Sequence, residues 1–163
     1  RWLSDWSSDV CSSDLPQYYA LANTSYFSQV PRMLEPGTPQ AFRLDVAPPA
    51  SCPYSIFWTI DTPGIRQDPS SQPAPLCRLR VHTETPLGDA MLQATLNGQA
   101  LEPTGDVGRI LGNPFDPMIT PSPDHRRAWQ FPRELLRDGV NDLQITMASG
   151  ASTKLIWIDM GVY

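Results

Sequence analysis

The amino-acid sequence predicts an all-β fold, an antiparallel β-sandwich with long proline-rich loops. Several short segments alternate apolar and polar residues with a period of two, as strands with one buried face do. Turn signals separate these segments, and the sequence lacks the strand–helix–strand alternation of parallel sheets. The composition agrees, because 18 prolines and 10 glycines among 163 residues interrupt regular structure often. We expect one sandwich domain over residues 16–163, without an internal repeat or linker.

Strand signals recur along most of this domain. Leu79 and Val81 share one face of a predicted strand, and Leu143, Ile145 and Met147 share one face of another. The stretch between residues 48 and 75 is irregular, and residues 54–60 within it fit either a strand or a packed loop. The other predicted strands are residues 25–34, 40–46, 76–83, 91–96, 99–101, 128–131, 142–147 and 155–163.

Asn97-Gly98 is the clearest turn signal. It lies between two strand segments, and both central residues of a type I′ hairpin turn need a positive φ, which Asn and Gly tolerate. We therefore expect a tight β-hairpin here. Residues 132–139 can form at most one helical turn before Gly139 ends it, and residues 105–124 form a long loop.

Charge argues against a nucleic-acid partner, and the distribution of apolar residues argues against a membrane. A net charge of −5 and a pI near 4.8 argue against nucleic acid, which requires a clustered Lys/Arg surface. The basic clusters Arg78/Arg80 and His125-Arg126-Arg127 are too short to form one. No apolar run approaches the roughly 20 residues that span a bilayer, so we expect no membrane insertion.

Residues 5–15, with the sequence DWSSDVCSSDL, have no helical or strand period. The string resembles the conceptual translation of a common sequencing-library adapter. We therefore expect residues 1–15 to be a non-native, disordered artefact at the start of a truncated reading frame. Excluding them removes one positive and three negative charges, which changes the net charge from −5 to −3.

The same exclusion leaves two cysteines, Cys52 and Cys77. They could form a disulfide, which would fit an extracellular or periplasmic protein, or remain two buried thiols. The sequence leaves both alternatives open. Neither cysteine has the spacing of a metal site, since His82 and His125 are isolated from them.

Two motifs resemble galactose-binding-like jelly-roll domains attached to bacterial glycoside hydrolases. One is WQFPRELLRDGVNDLQI at residues 129–145, similar to an aromatic strand, a Leu-Leu-x-x-Gly-x-Asn corner and a final strand. The other is the hairpin ATLNGQAL at residues 94–101. With the closing strand, the resemblance covers residues 76–163. Residues 30–37, VPRMLEPG, also resemble the entry to such a domain in barrel-containing glycosidase-like proteins.

The resemblance implies a non-catalytic C-terminal accessory module of a carbohydrate-active protein. Its partner would be an upstream catalytic domain of the same chain, where the catalytic carboxylates would lie, and carbohydrate would be a further candidate partner. The motifs themselves have structural roles, because Gly139 permits a corner and Asn141 can bond nearby backbone groups. The alternatives are an architectural interdomain module without a ligand, and a fragment of a different barrel enzyme or surface protein.

We predict no catalytic residue in this chain. Glycoside hydrolysis needs two carboxylates across a cleft, and nothing in the sequence pairs any two of its loop acids. The Ser122-Asp124-His125 neighbourhood lacks a nucleophile elbow, which favours an exposed loop. The acids considered are Asp61, Asp89, Asp116, Asp124 and Glu134.

The candidate ligand-binding residues are aromatic and polar groups near loops. A sugar site would need an aromatic platform beside a few polar groups. Phe115 with Asn113 and Asp116, in a proline-stiffened loop, is the best candidate, with Trp58 as a second aromatic. Trp129 and Trp157 are expected in the core. No cofactor is predicted, although a structural calcium held by Asp106 or Asp116 would suit such a module.

Overall fold

The computed structural model describes residues 17–22, 29–46, 76–108, 110 and 122–162, and these form a sandwich of two β-sheets. All strand pairs within the sheets are antiparallel. The predicted fold class, an all-β antiparallel sandwich, is therefore confirmed. The finer jelly-roll assignment stays a prediction.

The first sheet has six strands. Five of them lie in the order β1-β10-β4-β8-β7, and the sixth, β2, pairs with the N-terminal part of β10 on the same side as β1. Its strands are β1 (Gln17–Ala22), β2 (Arg32–Leu34), β4 (Cys77–Thr83), β7 (Glu102–Thr104), β8 (Arg126–Phe131) and β10 (Thr153–Val162). The second sheet has four strands, in the order β3-β9-β5-β6. Its strands are β3 (Pro39–Val46), β5 (Met91–Leu96), β6 (Gln99–Ala100) and β9 (Gly139–Ser149).

The core lies between the inner faces of the two sheets. Alternate residues of β9 point inward, and Ile145 and Met147 are fully buried. Trp129 from β8 is 1% exposed and lies opposite Leu79 of β4 in the register, as expected for a core residue. Apolar burial of this kind contributes about 1.5–3 kcal/mol per large side chain, so this layer supplies most of the driving force for folding.

The Asn97-Gly98 hairpin forms as predicted, with φ of 51° at Asn97 and 84° at Gly98. The side-chain amide of Asn97 also forms hydrogen bonds outside the turn. Its Nδ2 donates to the backbone oxygen of Leu135 at 2.7 Å and to Asn141 Oδ1 at 2.8 Å. The hairpin is thereby bonded to the Leu-Leu-x-x-Gly-x-Asn corner, residues 135–141, at the start of β9.

Asn141 holds that corner from inside the sandwich, where it is fully buried. Its Nδ2 donates to the backbone oxygens of Arg137 and Gly139, and its Oδ1 accepts from the Arg137 N–H at 2.8 Å. Gly139 has a φ of 85°, which confirms the predicted corner glycine. The expected helical turn is a short 3-10 turn, Arg133–Leu135.

The positions of three strands differ from those that the sequence predicts. The strand predicted over residues 25–34 is limited, among the described residues, to Arg32–Leu34. Strand β7 was not predicted because Pro103 lies at its centre, and a proline is tolerated there only because β7 is an edge strand. Strand β1 was not predicted because its sequence, QYYALA, lacks a period of two.

The helical structure of the described residues consists of short 3-10 turns at Pro123–His125 and Arg133–Leu135. No helix in this part of the chain has the length and apolar character that crossing a membrane requires. Residues 1–16, 47–75 and 111–121 lie outside the described residues, so the expectations for the adapter-like segment and for residues 54–60 stay predictions.

Asn141→Ala tests the corner network. We expect it to lower the free energy of unfolding by about 2–3 kcal/mol, because buried hydrogen-bonding groups lose their partners. Gln144→Ala, on the exposed face of the same strand, should change it by less than about 0.5 kcal/mol. Urea denaturation of both variants measures the difference, and equal losses would show that the network contributes no stability.

Candidate functional site

The outer face of the six-stranded sheet carries a buried polar cluster. Arg80 of β4 and Asp159 of β10 are register partners, and their side chains are 1% and 0% exposed. Arg80 Nε donates to Asp159 Oδ1 at 3.0 Å, and Arg80 Nη2 donates to Oδ2 at 2.6 Å. This is the bidentate geometry that best compensates the desolvation of a guanidinium and a carboxylate.

The chain that follows β7 covers this cluster. Three guanidinium groups contact three consecutive residues of it: Arg78 pairs with the Asp106 carboxylate, Arg126 Nη1 donates to the Val107 oxygen at 2.9 Å, and Arg80 Nη1 donates to the Gly108 oxygen at 2.7 Å. We call Arg78, Arg80, Arg126 and Asp159 the arginine clasp. It fixes residues 106–108 across the outer face of the sheet, and the polar atoms that make these bonds are committed to the fold.

His82 lies beside the clasp, with its side chain 5% exposed. Its Nε2 has no hydrogen-bond partner among the described residues, and the nearest carboxylate oxygen, Asp159 Oδ1, is 3.8 Å away. Burial, together with the positive charges of Arg80 and Arg126, lowers the pKa of His82 from its usual 6.5 to about 3. The imidazole is therefore neutral at physiological pH and is a structural group.

The position of Trp157 differs from the sequence-based prediction. It was expected in the core, yet it lies on the outer face of the six-stranded sheet, opposite His82 in the register, and is half-buried. The His82 and Trp157 rings are tilted by 45° with centroids 6.4 Å apart. A β-bulge between Leu155 and Trp157 shifts the register of β10 and turns the indole away from the core.

The outer face of the four-stranded sheet is different, because it is exposed and contains a depression of about 470 Å³. The depression is open to solvent rather than enclosed. We call this depression the sheet groove. It is lined by Gln29, Ala41, Phe42, Arg43, Thr95, Gly98, Asp142, Leu143 and Gln144.

Register explains why the groove lies here. Ala41, Gln144 and Thr95 form one row across β3, β9 and β5, and the small side chains of Ala41 and Thr95 leave space above the sheet. Arg43 and Asp142 form the next row, so their longer polar side chains border that space. The aromatic residue in the lining, Phe42, is 2% exposed, and its side chain belongs to the core.

The backbone beside the groove is held by two amide side chains. Gln29 Nε2 donates to the Arg43 oxygen at 2.7 Å, and its Oε1 accepts from the Arg43 N–H at 2.6 Å. Asn97 Oδ1 accepts from the Asp142 N–H at 3.0 Å, and the Asn97 N–H donates to the Asp142 oxygen at 2.8 Å. These bonds fix the positions from which Arg43 and Asp142 extend.

Four polar side chains of the groove differ from those of the clasp and from Gln29, which is bonded to the Arg43 backbone. The side chains of Arg43, Asp142, Gln144 and Thr95 make no hydrogen bond or ion pair within the described ranges. Groups of this kind that converge on a fixed depression are available to bind a polar ligand.

The residues that the sequence singled out are placed as follows. Asn113, Phe115, Asp116 and Trp58 lie outside the described residues, as do Asp61 and Cys52, so their proposed roles stay predictions. Cys77 is fully buried in the core. Asp89, Asp124 and Glu134 are exposed. His125 is half-buried, and its Nδ1 lies 3.0 Å from the Thr83 oxygen.

Asp106, one of the two acids suggested for calcium, has other partners. Its carboxylate pairs with Arg78, and its Oδ1 accepts from the Gly108 N–H at 3.1 Å. In the described part of the chain, no three His, Cys, Asp or Glu side chains form a group that could hold a metal ion.

Comparison with known proteins finds distant structural likeness without a matching sequence family. No family model matches the sequence, and no curated protein matches it. Among solved structures, the chain is similar to BpGH86A, a β-porphyranase of glycoside hydrolase family 86 from the human gut bacterium Bacteroides plebeius. The identity is 14% and the TM-score is 0.47, over 90% of this chain and 21% of that chain. This chain thus spans about a fifth of the length of that enzyme.

The clasp can be tested by a double-mutant cycle. Arg80→Met or Asp159→Leu alone should lower the free energy of unfolding by about 3–5 kcal/mol, because each leaves a buried charge without its partner. The double variant should cost less than the sum of the two by at least about 2 kcal/mol. Lys154→Met breaks the exposed Lys154–Glu84 pair and should cost at most about 1 kcal/mol. Additive effects in the cycle would contradict the coupling.

The lowered pKa of His82 predicts acid sensitivity. Below pH 6.5 the unfolded chain binds a proton that the folded chain does not bind until about pH 3, so stability falls as the pH falls through this window. Between pH 7 and pH 5 the wild-type chain should lose about 2 kcal/mol more than His82→Leu. Urea denaturation at each pH measures this, and the two proteins should run parallel above pH 7. Equal losses of stability in the wild-type chain and His82→Leu between pH 7 and pH 5 would contradict the lowered pKa of His82.

Proposed function

We propose that this chain is a non-catalytic β-sandwich module of a carbohydrate-active protein and that it binds glycan in the sheet groove. One observation carries the proposal: exposed donors and acceptors without partners among the described residues line a depression of about 470 Å³ whose backbone is held in place. The resemblance of the hairpin and corner motifs to accessory domains of glycoside hydrolases gives the same context.

A glycan suits the chemistry of the groove. Each sugar hydroxyl both donates and accepts, and a bound sugar must replace its bonds to water with bonds to protein. The Arg43 guanidinium supplies donors, the Asp142 carboxylate supplies acceptors, and the Gln144 amide supplies both. The groove spans three strands, a width of about 10 Å at ordinary strand spacing, which is comparable to two sugar rings.

The placement of the acids supports a non-catalytic role. The buried carboxylate on the described part of the chain, Asp159, accepts two bonds from Arg80 and is covered by residues 106–108. The described acids considered for catalysis, Asp89, Asp124 and Glu134, are all exposed. In the proposed arrangement, catalysis belongs to another domain of the parent protein, and this module contributes binding.

Affinity electrophoresis of the 163-residue chain tests glycan binding, with galactomannan, mixed-linkage β-glucan, xylan and agarose in the gel. We expect retardation by at least one of them. Ala41→Leu places a bulky aliphatic side chain in the groove without supplying an aromatic platform, and it should reduce the retardation at least tenfold. Ala148→Leu is the matched control, because Ala148 is also an exposed alanine on the outer face of the sheet and is not among the described residues that line the groove.

The other outcomes separate the alternatives. Retardation that survives Ala41→Leu and is lost in Phe115→Ala or Trp58→Ala would place the site in the loops that the sequence singled out, and would overturn the groove. No retardation by any polysaccharide, including the anionic ones used below, would favour an architectural module without a ligand. The hydrolase context is tested by the full-length gene, where an upstream barrel without paired carboxylates would contradict it.

A further inference from the structure

We infer that the sheet groove selects neutral glycans that present adjacent hydroxyl groups, rather than acidic or sulfated glycans; the inference rests on the proposed function. It comes from one pair of residues. Arg43 and Asp142 lie directly opposite each other on β3 and β9, both are exposed, and both line the groove.

The two side chains are close in register and yet not bonded to each other. Directly opposed residues on antiparallel strands have Cβ atoms about 4.5–5.5 Å apart, which is well within reach of an ion pair. No ion pair joins Arg43 to Asp142, and neither side chain has another partner among the described residues. The guanidinium and the carboxylate therefore both offer their bonding groups to the groove.

This pair matches a vicinal diol. A guanidinium presents two parallel N–H groups, and a carboxylate presents two acceptor oxygens. Hydroxyl groups on adjacent sugar carbons can accept from Arg43 and donate to Asp142 at the same time, since each hydroxyl has both capacities. A carboxylate or sulfate group on the sugar can accept but cannot donate, so it satisfies only the arginine.

Charge adds to the selection. Among the described residues of the lining, the two charged ones have opposite signs, so an anionic sugar that gains attraction from Arg43 meets repulsion from Asp142 a few ångströms away. The net charge is negative both for the whole chain, at −5, and without residues 1–15, at −3, which further disfavours the approach of a polyanion. A neutral glycan meets neither penalty.

The experiment compares two classes of polysaccharide with the 163-residue chain, at 20 and 300 mM NaCl. Galactomannan and mixed-linkage β-glucan are the neutral probes, and polygalacturonate, alginate and a sulfated galactan are the anionic ones. We expect the affinity for at least one neutral probe to exceed that for every anionic probe by at least tenfold. The affinity for that neutral probe should differ less than twofold between the two salt concentrations, because no net charge is neutralised on binding.

Three variants locate the selectivity. Arg43→Gln should weaken neutral binding about tenfold. Asp142→Asn should weaken neutral binding several-fold and strengthen anionic binding, because the repulsive charge is removed while the size is kept. Asp45→Asn is the matched control, since Asp45 is an exposed acid of the same β3 strand outside the groove lining, and it should change neither.

The results distinguish the inference from the proposed function. An anionic probe that binds more tightly than the neutral ones, with an affinity that falls with salt and with Arg43→Gln, would overturn the inference and leave glycan binding in place. Equal binding of both classes that Asp142→Asn does not alter would also overturn it. No binding of either class would overturn the proposed function and this inference with it.

Discussion

The buried pair of Arg80 and Asp159 imposes a constraint on one whole side of the protein. Removing two charges from water costs several kcal/mol per ion, and this is offset only when every remaining donor and acceptor has a partner. The pair therefore requires β4 and β10 to be neighbours in one register, and it requires the Gly108 oxygen above it. The covering segment is consequently part of the sandwich rather than a loose connection.

This constraint makes the two outer faces unequal. On the six-stranded sheet, arginine side chains bind backbone oxygens and a carboxylate of the same chain, so the polar groups serve folding. On the four-stranded sheet, amide side chains bind the backbone, and the charged side chains of Arg43 and Asp142 next to them have no partner among the described residues. Guanidinium, carboxylate and amide groups therefore stabilise one face, whereas on the other face two of these groups remain exposed.

The sequence predicts local features of this structure well, because period-two alternation and the Asn97-Gly98 turn depend on neighbouring residues. It does not reveal the clasp, since Arg80 alternates with apolar residues as a solvent-facing strand residue would. Its carboxylate partner lies 79 positions along the chain. The groove depends on register in the same way, because Arg43 meets Asp142 only after β3 pairs with β9. The sequence-based choice of ligand residues favoured aromatic side chains near loops, and these lie outside the described residues: Trp58, Asn113, Phe115 and Asp116.

The bonds of the Asn97 amide also make this protein sensitive to its own chemical ageing. In an Asn-Gly sequence the glycine nitrogen can attack the carbonyl carbon of the asparagine side chain and displace ammonia, and water then opens the resulting succinimide to aspartate or isoaspartate. Here the lost nitrogen is the one that donates to Leu135 and Asn141, and the new carboxylate would place an acceptor against two other acceptors. A single deamidation would thus loosen the corner and one border of the groove together, so old preparations would lose stability and, under the proposed function, glycan binding in parallel.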